Sequence, residues 1–283
     1  MAALGSSIAI ANQRIERLHL DQTCTCHIVQ GTENAHINLD ITTFHAKSYA
    51  QTLRHEVYPN VASASSELRQ LAAYDFKISP KDHWDQNGVL NYFSKWSDTG
   101  REAAFWVGGR SGNQEPWVTE MSVDLIRALE SQEKTTVYVF CDGIHGALTP
   151  SVLAQRLIVQ LLESFPLLAF HNPEIFNTTK LNKAQTFVQL WSICQMLVDQ
   201  AGEVFVVIDR IDKCKPEDGA GVEDIVLPYL VQLTKSCPQV SVVLTADRNP
   251  PLSLQVDKNL QSVWISAERP PGKRNDKKYG GRD

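Results

Sequence analysis

Two stretches hold residues whose types and spacing suit nucleotide chemistry: FWVGGRSGNQEPW, Phe105 to Trp117, and VFVVIDRIDKC, Val204 to Cys214. In a phosphate-binding loop, backbone N–H groups of a strand-to-helix turn surround the phosphates, a lysine adds a point charge and a hydroxyl holds magnesium. An apolar strand ending in an aspartate presents a carboxylate to the magnesium shell, and a second acid just beyond it activates the water. The residues available for these roles are Gly109, Arg110 and Gly112 in the loop, with Asp209 and Asp212 as the acids. Each also has a plainer reading, since glycines serve tight turns and an acid at a strand end satisfies loop N–H groups.

The loop departs from a working one. Aligning Gly109 with the first glycine of G-x-x-x-x-G-K-S puts Gln114 at the second glycine, Glu115 at the lysine and Pro116 at the hydroxyl. Glu115 sets a negative charge where a polyanion belongs, and Pro116 supplies neither hydroxyl nor N–H. Ordinary magnesium–nucleotide binding is therefore not expected. Gly108–Gly112 is expected to keep its tight turn, with Pro116 in the first turn of the next helix and the Glu115 carboxylate near that helix's positive end.

Other candidates carry less. CTCH, Cys24 to His27, with His19, His36 and His45 nearby, has zinc-ligand types, but C-x-C is not the usual knuckle and no second pair follows, so no metal site is expected. CDGIHG, Cys141 to Gly146, has a Cys and a His without an identifiable orienting partner and reads as a strand-end turn. Trp84, Trp96, Trp106, Trp117, Trp191 and Trp264 are spread through the predicted elements, as packing residues are.

The elements that must position these groups follow from periodicity. Strands are predicted at Ala104–Val107, Val137–Cys141, Val204–Ile208, Val240–Thr245 and Val263–Ile265, four of them nearly continuous apolar runs suited to burial on both faces. Between them TEMSVDLIRALESQ, TPSVLAQRLIVQLLESF, KAQTFVQLWSICQMLVDQAG and EDIVLPYLVQLTKS have one apolar helical face. Pro228 is expected to kink or divide the last, and Thr149–Pro150 to start the second as N-cap and N1. Upstream, HINLDITTFH alternates like a strand, and SYAQTLRHEVYPNVASASSELRQLAAYDF reads as helix broken at Pro59. Strands alternating with helices imply a parallel sheet, with Val204–Ile208 and Val240–Thr245 central and Asp209 at their carboxyl ends.

NYFSKWSDTGREAAFWVGGRSG, VYVFCD, SVLAQRLIVQLLESFP, VFVVIDRIDKC and VSVVLTADRNP, in that order, resemble the landmarks of the fungal NACHT-like branch of STAND P-loop NTPases over about Trp84 to Trp264. The family pattern runs roughly W…FWISGKPGSGKST, a strand, a helix with a QLL-like end, IDALDEC and TSRP. The resemblance implies an α/β fold class: a three-layer P-loop NTPase-like parallel sheet with helices on both faces, plus a small, mostly helical N-terminal region. With the change of pattern near Trp84 and the Pro, Gly and charge of the end, the expected domains are 1–83 (N-terminal, mostly helical), 84–268 (degenerate NACHT-like) and 269–283 (disordered basic tail). Carried over, Gly109 and Gly112 match loop glycines, Asp209 the magnesium-directed aspartate and Asp212 the first acid of the D-E pair. Lys213 replaces the second acid, and Asp247 shifts Arg248 out of register with the T-S-R-P arginine.

Composition narrows the function. The 283 residues are 43% hydrophobic with a net charge of −5, so no global positive field draws the chain to nucleic acid or an anionic membrane. No run approaches the ~20 apolar residues of a membrane span, the start lacks a secretory signal, and Cys141, Cys194, Cys214 and Cys237 are scattered singly as reduced thiols are. A cytoplasmic protein is expected. With loop lysine, hydroxyl and one acid altered, the reading is a non-catalytic signalling or regulatory module acting by protein–protein interaction, with an intact relative as a candidate partner and no cofactor. Two alternatives stay open: a weak ATP or GTP hydrolase with magnesium, using Gly109, Arg110, Gly112 and Asp209, and a decayed or truncated product without stable activity.

Overall fold

The computed structural model describes residues 33–73, 104–109, 117–143, 146–217, 221–251 and 260–265. The chain divides into two compact units, Met1–His45 and Ala46–Asp283. The second unit holds a sheet of β1 (Ala104–Gly109), β2 (Thr136–Phe140), β3 (Val204–Asp209), β4 (Val240–Ala246) and β5 (Leu260–Ile265). Its strands lie in the order β2-β3-β4-β1-β5, and all four ladders are parallel. β4 therefore separates β1, which leads into the glycine loop, from β3, which ends on Asp209.

Parallel strands are covered on both faces, and continuous apolar runs are what such coverage requires. Every residue of β1, β3 and β4 is buried. Alternation then sends successive side chains into two cores. On one face Trp106, Val139, Val206, Ile208, Val242 and Leu244 share a cluster with residues of α4 (Pro150–Ser164), α7 (Phe187–Gln200) and α8 (Val222–Ser236). On the other, Phe105, Val107, Phe140, Phe205, Val207 and Val243 meet α3 (Trp117–Ser131) and Leu68 of α2 (Ala64–Ala73). This is the expected three-layer α/β arrangement. Leu53 and Tyr58 are buried in the first of these cores, so residues from Ala46 onward share the sheet's packing.

The starts of the helices follow local chemistry. Thr149 caps α4, its Oγ1 accepting from the Val152 N–H at 3.4 Å, with Pro150 at the first helical position. Thr186 and Gln189 form a reciprocal capping box on α7. Two short helices, α5 (Pro166–His171) and α6 (Thr178–Lys183), fill the connection between α4 and α7 and had no clear periodic signal.

One expectation is corrected and one narrowed. HINLDITTFH is not a strand but lies within α1, Glu33–Val57. Ile37, Ile41 and Phe44 stand at i, i+4 and i+7, so the same residues satisfy the helical period, and the helix-forming stretch that follows decides between the two. Of the two outcomes expected at Pro228, a kink or a division, division does not occur: α8 runs unbroken from Val222 to Ser236. Pro228 and Asp224, whose carbonyl loses its partner to the missing proline N–H, are both exposed, where water can take that bond.

Among the described residues β2 is an edge strand of the sheet, and a side chain pairs with that edge. Gln160 of α4 accepts the Tyr138 N–H at 2.9 Å through Oε1 and donates to the Tyr138 carbonyl at 2.8 Å through Nε2. The amide thereby takes the place that a neighbouring strand would occupy.

Candidate functional site

The sheet's register brings the two motif strands to one edge. Gly108 of β1 is level with Ala246 of β4, and Leu244 of β4 with Ile208 of β3, so Gly109 and Asp209 both emerge at the carboxyl ends, with β4 between them. Gly109 is buried at the end of β1. Arg110, Gly112, Glu115 and Pro116 lie outside the described residues, as does the CTCH stretch.

Asp209 is 2% exposed and enclosed by three hydroxyls. Thr119 Oγ1 reaches its Oδ2 at 2.8 Å, while Ser122 Oγ and Thr245 Oγ1 each reach its Oδ1 at 2.7 Å. Thr119 and Ser122 are three positions apart on α3, so one helical face delivers both, and Thr245 comes from the neighbouring strand β4. Burial raises the carboxyl's pKa above its ordinary value, opposed by the hydrogen bonds from Thr245, Ser122 and Thr119 and by the nearby Arg210 charge. Ser122 Oγ also lies 3.0 Å from the Val118 carbonyl. When Asp209 takes a proton and donates it to this hydroxyl, the serine proton has a second acceptor ready. The cage therefore accommodates both states of the carboxyl.

The residues beyond Asp209 also turn to one another. Arg210 adopts a left-handed conformation at φ 49°, and its N–H donates to Thr245 Oγ1 at 2.9 Å. Its guanidinium bridges Asp142, after β2, at 2.8 Å and Asp247, after β4, at 2.9 Å. Asp212, expected as the second acid, accepts the Asp247 N–H at 3.2 Å. Lys213, standing at the family's glutamate, approaches Asp247 at 3.2 Å and Asp212 at 3.6 Å. Arg248 gives its carbonyl to Trp106 Nε1 at 3.1 Å. The turn after β3 is thus cross-linked to the ends of β2 and β4. Among the described residues no group of three or more His, Cys, Asp or Glu is placed to hold a metal.

Sequence reasoning reached Asp209 and Asp212 but not the hydroxyls. The available signal was the pair Thr119 and Ser122 on one helix face, together with a polar Thr245 closing an otherwise apolar strand.

Strand order, two-face helical cover and a buried aspartate beside the strand of the glycine loop define a P-loop NTPase-like α/β domain. The chain belongs to the family described as Nephrocystin 3, N-terminal, whose model matches residues 90–246, just over half of the chain. No curated protein matches it. Among solved structures, it is similar to a Walker-type ATPase of Pyrococcus abyssi at 15% identity and TM-score 0.43, over 69% of this chain and 57% of that one. It is also similar to a chain of Drosophila ORC bound to GC-rich DNA and Cdc6, at 13% identity and TM-score 0.37, over 72% of this chain and 60% of that one. A chain of Drosophila ORC bound to poly(dA/dT) DNA and Cdc6 matches at 12% identity and TM-score 0.37, over 76% of this chain and 33% of that one. This chain therefore spans less than two thirds of each. No helix among the described residues is long and apolar enough to cross a membrane.

Proposed function

We propose that this P-loop NTPase-like domain is non-catalytic and acts by binding another protein, an intact relative first among the candidates, in STAND-type signalling in a fungal cytoplasm. The observation that carries the non-catalytic reading is the three-hydroxyl cage around Asp209. A magnesium-directed carboxylate needs lone pairs open to the ion's shell, and here donors within the fold take them up in a site 2% exposed. Asp212 is likewise turned to the Asp247 backbone. The loop residues Gln114, Glu115 and Pro116 point the same way at the level of sequence. The signalling role and the partner rest on the family resemblance.

The test is titration of the full chain with labelled ATP and GTP, with and without magnesium, beside the variant Gln114→Gly, Glu115→Lys, Pro116→Ser. The expected result is no saturable binding by the unaltered protein. Micromolar binding, worth roughly −8 kcal/mol, would overturn the reading in favour of a weak hydrolase in which Arg110 replaces the lysine. Binding gained by the triple variant alone would place the loss in the loop. For the partner, co-purification with an intact relative is the expected outcome, and its failure with every such relative tried would remove that part of the proposal.

A further inference from the structure

The carboxyl edge of the sheet brings together two cysteines that stand far apart in the sequence. Cys141 follows β2, and its N–H donates to the Asp209 carbonyl at 3.0 Å. Cys214 closes the single 3-10 turn Ile211–Lys213 that follows β3. Leu148 lies between the two segments, giving its N–H to the Cys141 carbonyl at 3.1 Å and accepting the Lys215 N–H at 2.6 Å. Both side chains belong to one core cluster, and their thiols are hydrogen-bonded to each other. Cys194 and Cys237 turn elsewhere, to the Ala154 carbonyl at 3.5 Å and to Asp199 Oδ1 at 2.9 Å.

The two members of the pair are not equivalent. Cys141 is 0% exposed and Cys214 6%, so a reagent from solvent meets Cys214 first. The hydrogen bond with Cys214, and then burial, push the Cys141 thiol well above its ordinary pKa, so Cys141 keeps its proton and donates it towards the Cys214 sulfur. Cys214 is therefore the attacking thiol and Cys141 the one that resolves. So narrow an opening admits only a small oxidant, and oxidation at sulfur follows access.

We infer that Cys141 and Cys214 form an oxidisable dithiol, which hydrogen peroxide converts to a disulfide joining the end of β2 to the turn after Asp209. In the first step the Cys214 sulfur attacks one peroxide oxygen, the O–O bond breaks, and the products are a sulfenic acid on Cys214 and one water. In the second the Cys141 sulfur attacks Cys214 Sγ, the S–O bond breaks, and the departing hydroxide takes the Cys141 proton to leave as a second water. Two thiols give up two electrons and two protons, and the peroxide is reduced by both. The new bond draws the sulfurs to about 2.05 Å. Cys214, outside the sheet, makes that movement, while Cys141 is held by its bond to the Asp209 carbonyl. The site is independent of whether the domain binds nucleotide.

The test treats the folded full chain with hydrogen peroxide, blocks remaining thiols with iodoacetamide and digests with trypsin without reduction. Expected is a peptide of residues 135–156 joined to residues 214–235, lighter than their sum by two hydrogens and absent after dithiothreitol. A link between Cys24 and Cys26 falls in a different peptide and does not interfere. The same treatment in urea should spread the links over all six cysteines. In Cys141→Ser, which removes the resolving thiol, dimedone should label Cys214 as its sulfenic acid. In Cys214→Ser, Cys141 should stay unlabelled. Absence of the 141–214 link in the folded unaltered protein, links to Cys194 or Cys237 in equal yield, no dimedone label in Cys141→Ser, or a label on Cys141 in Cys214→Ser would each overturn the inference.

Discussion

Thr245 is committed on both sides of its hydroxyl: it donates to Asp209 Oδ1 at 2.7 Å and accepts the Arg210 N–H at 2.9 Å. Thr245→Val keeps the shape and removes both bonds, leaving a backbone donor and a buried carboxyl short of a partner. The expected cost is about 1–3 kcal/mol, read as a lower urea midpoint at unchanged slope. Thr245→Ser, which keeps the hydroxyl, should recover most of it.

The raised pKa of Asp209 has a pH signature. The native state holds this proton to higher pH than the unfolded chain does, so the stability it contributes is complete below the unfolded value and is lost as pH rises through the native one. Asp209→Asn cannot ionise and should lack that decline. The variant's unfolding free energy relative to the unaltered protein should therefore rise as pH is raised above about 4, the ordinary carboxyl value. Parallel pH profiles for the two proteins would refute it.

The Glu67–Arg156 bridge, 2.6 Å long with both side chains buried, joins α2 to α4. Arg156→Met alone leaves a buried carboxylate without its cation, and a loss of about 3–5 kcal/mol is expected. Glu67→Gln together with Arg156→Met should restore much of that loss, because the two defects cancel. A double-mutant cycle by urea unfolding measures the difference, and strictly additive losses would contradict it.

Gln160→Leu should uncover the Tyr138 N–H and carbonyl at the β2 edge. About 1–3 kcal/mol of stability is at stake, and the bared edge invites pairing between molecules. The variant should show concentration-dependent association in size-exclusion chromatography where the unaltered protein shows none through this edge.

The sheet could be read in the sequence because four of its strands are nearly unbroken apolar runs, and Asp209 because it closes one of them. The Thr149–Pro150 helix start was legible for the same kind of local reason. The cage was not, since Thr119, Ser122 and Thr245 stand 90, 87 and 36 positions from Asp209 and belong to no motif. Glu67 and Arg156, 89 positions apart, are likewise joined only by the fold. α1 was misread for a different reason: Ile37, Ile41 and Phe44 fit the helical repeat while the same segment alternates, and a single short window cannot separate the two periods.

The Gln160 amide on Tyr138 also limits how copies of this protein could assemble. A sheet that is stoppered on one side cannot pass a strand partner along, because each new copy would offer the next no second edge. An open filament built strand on strand needs two edges, and Gln160 occupies the Tyr138 position on one of them.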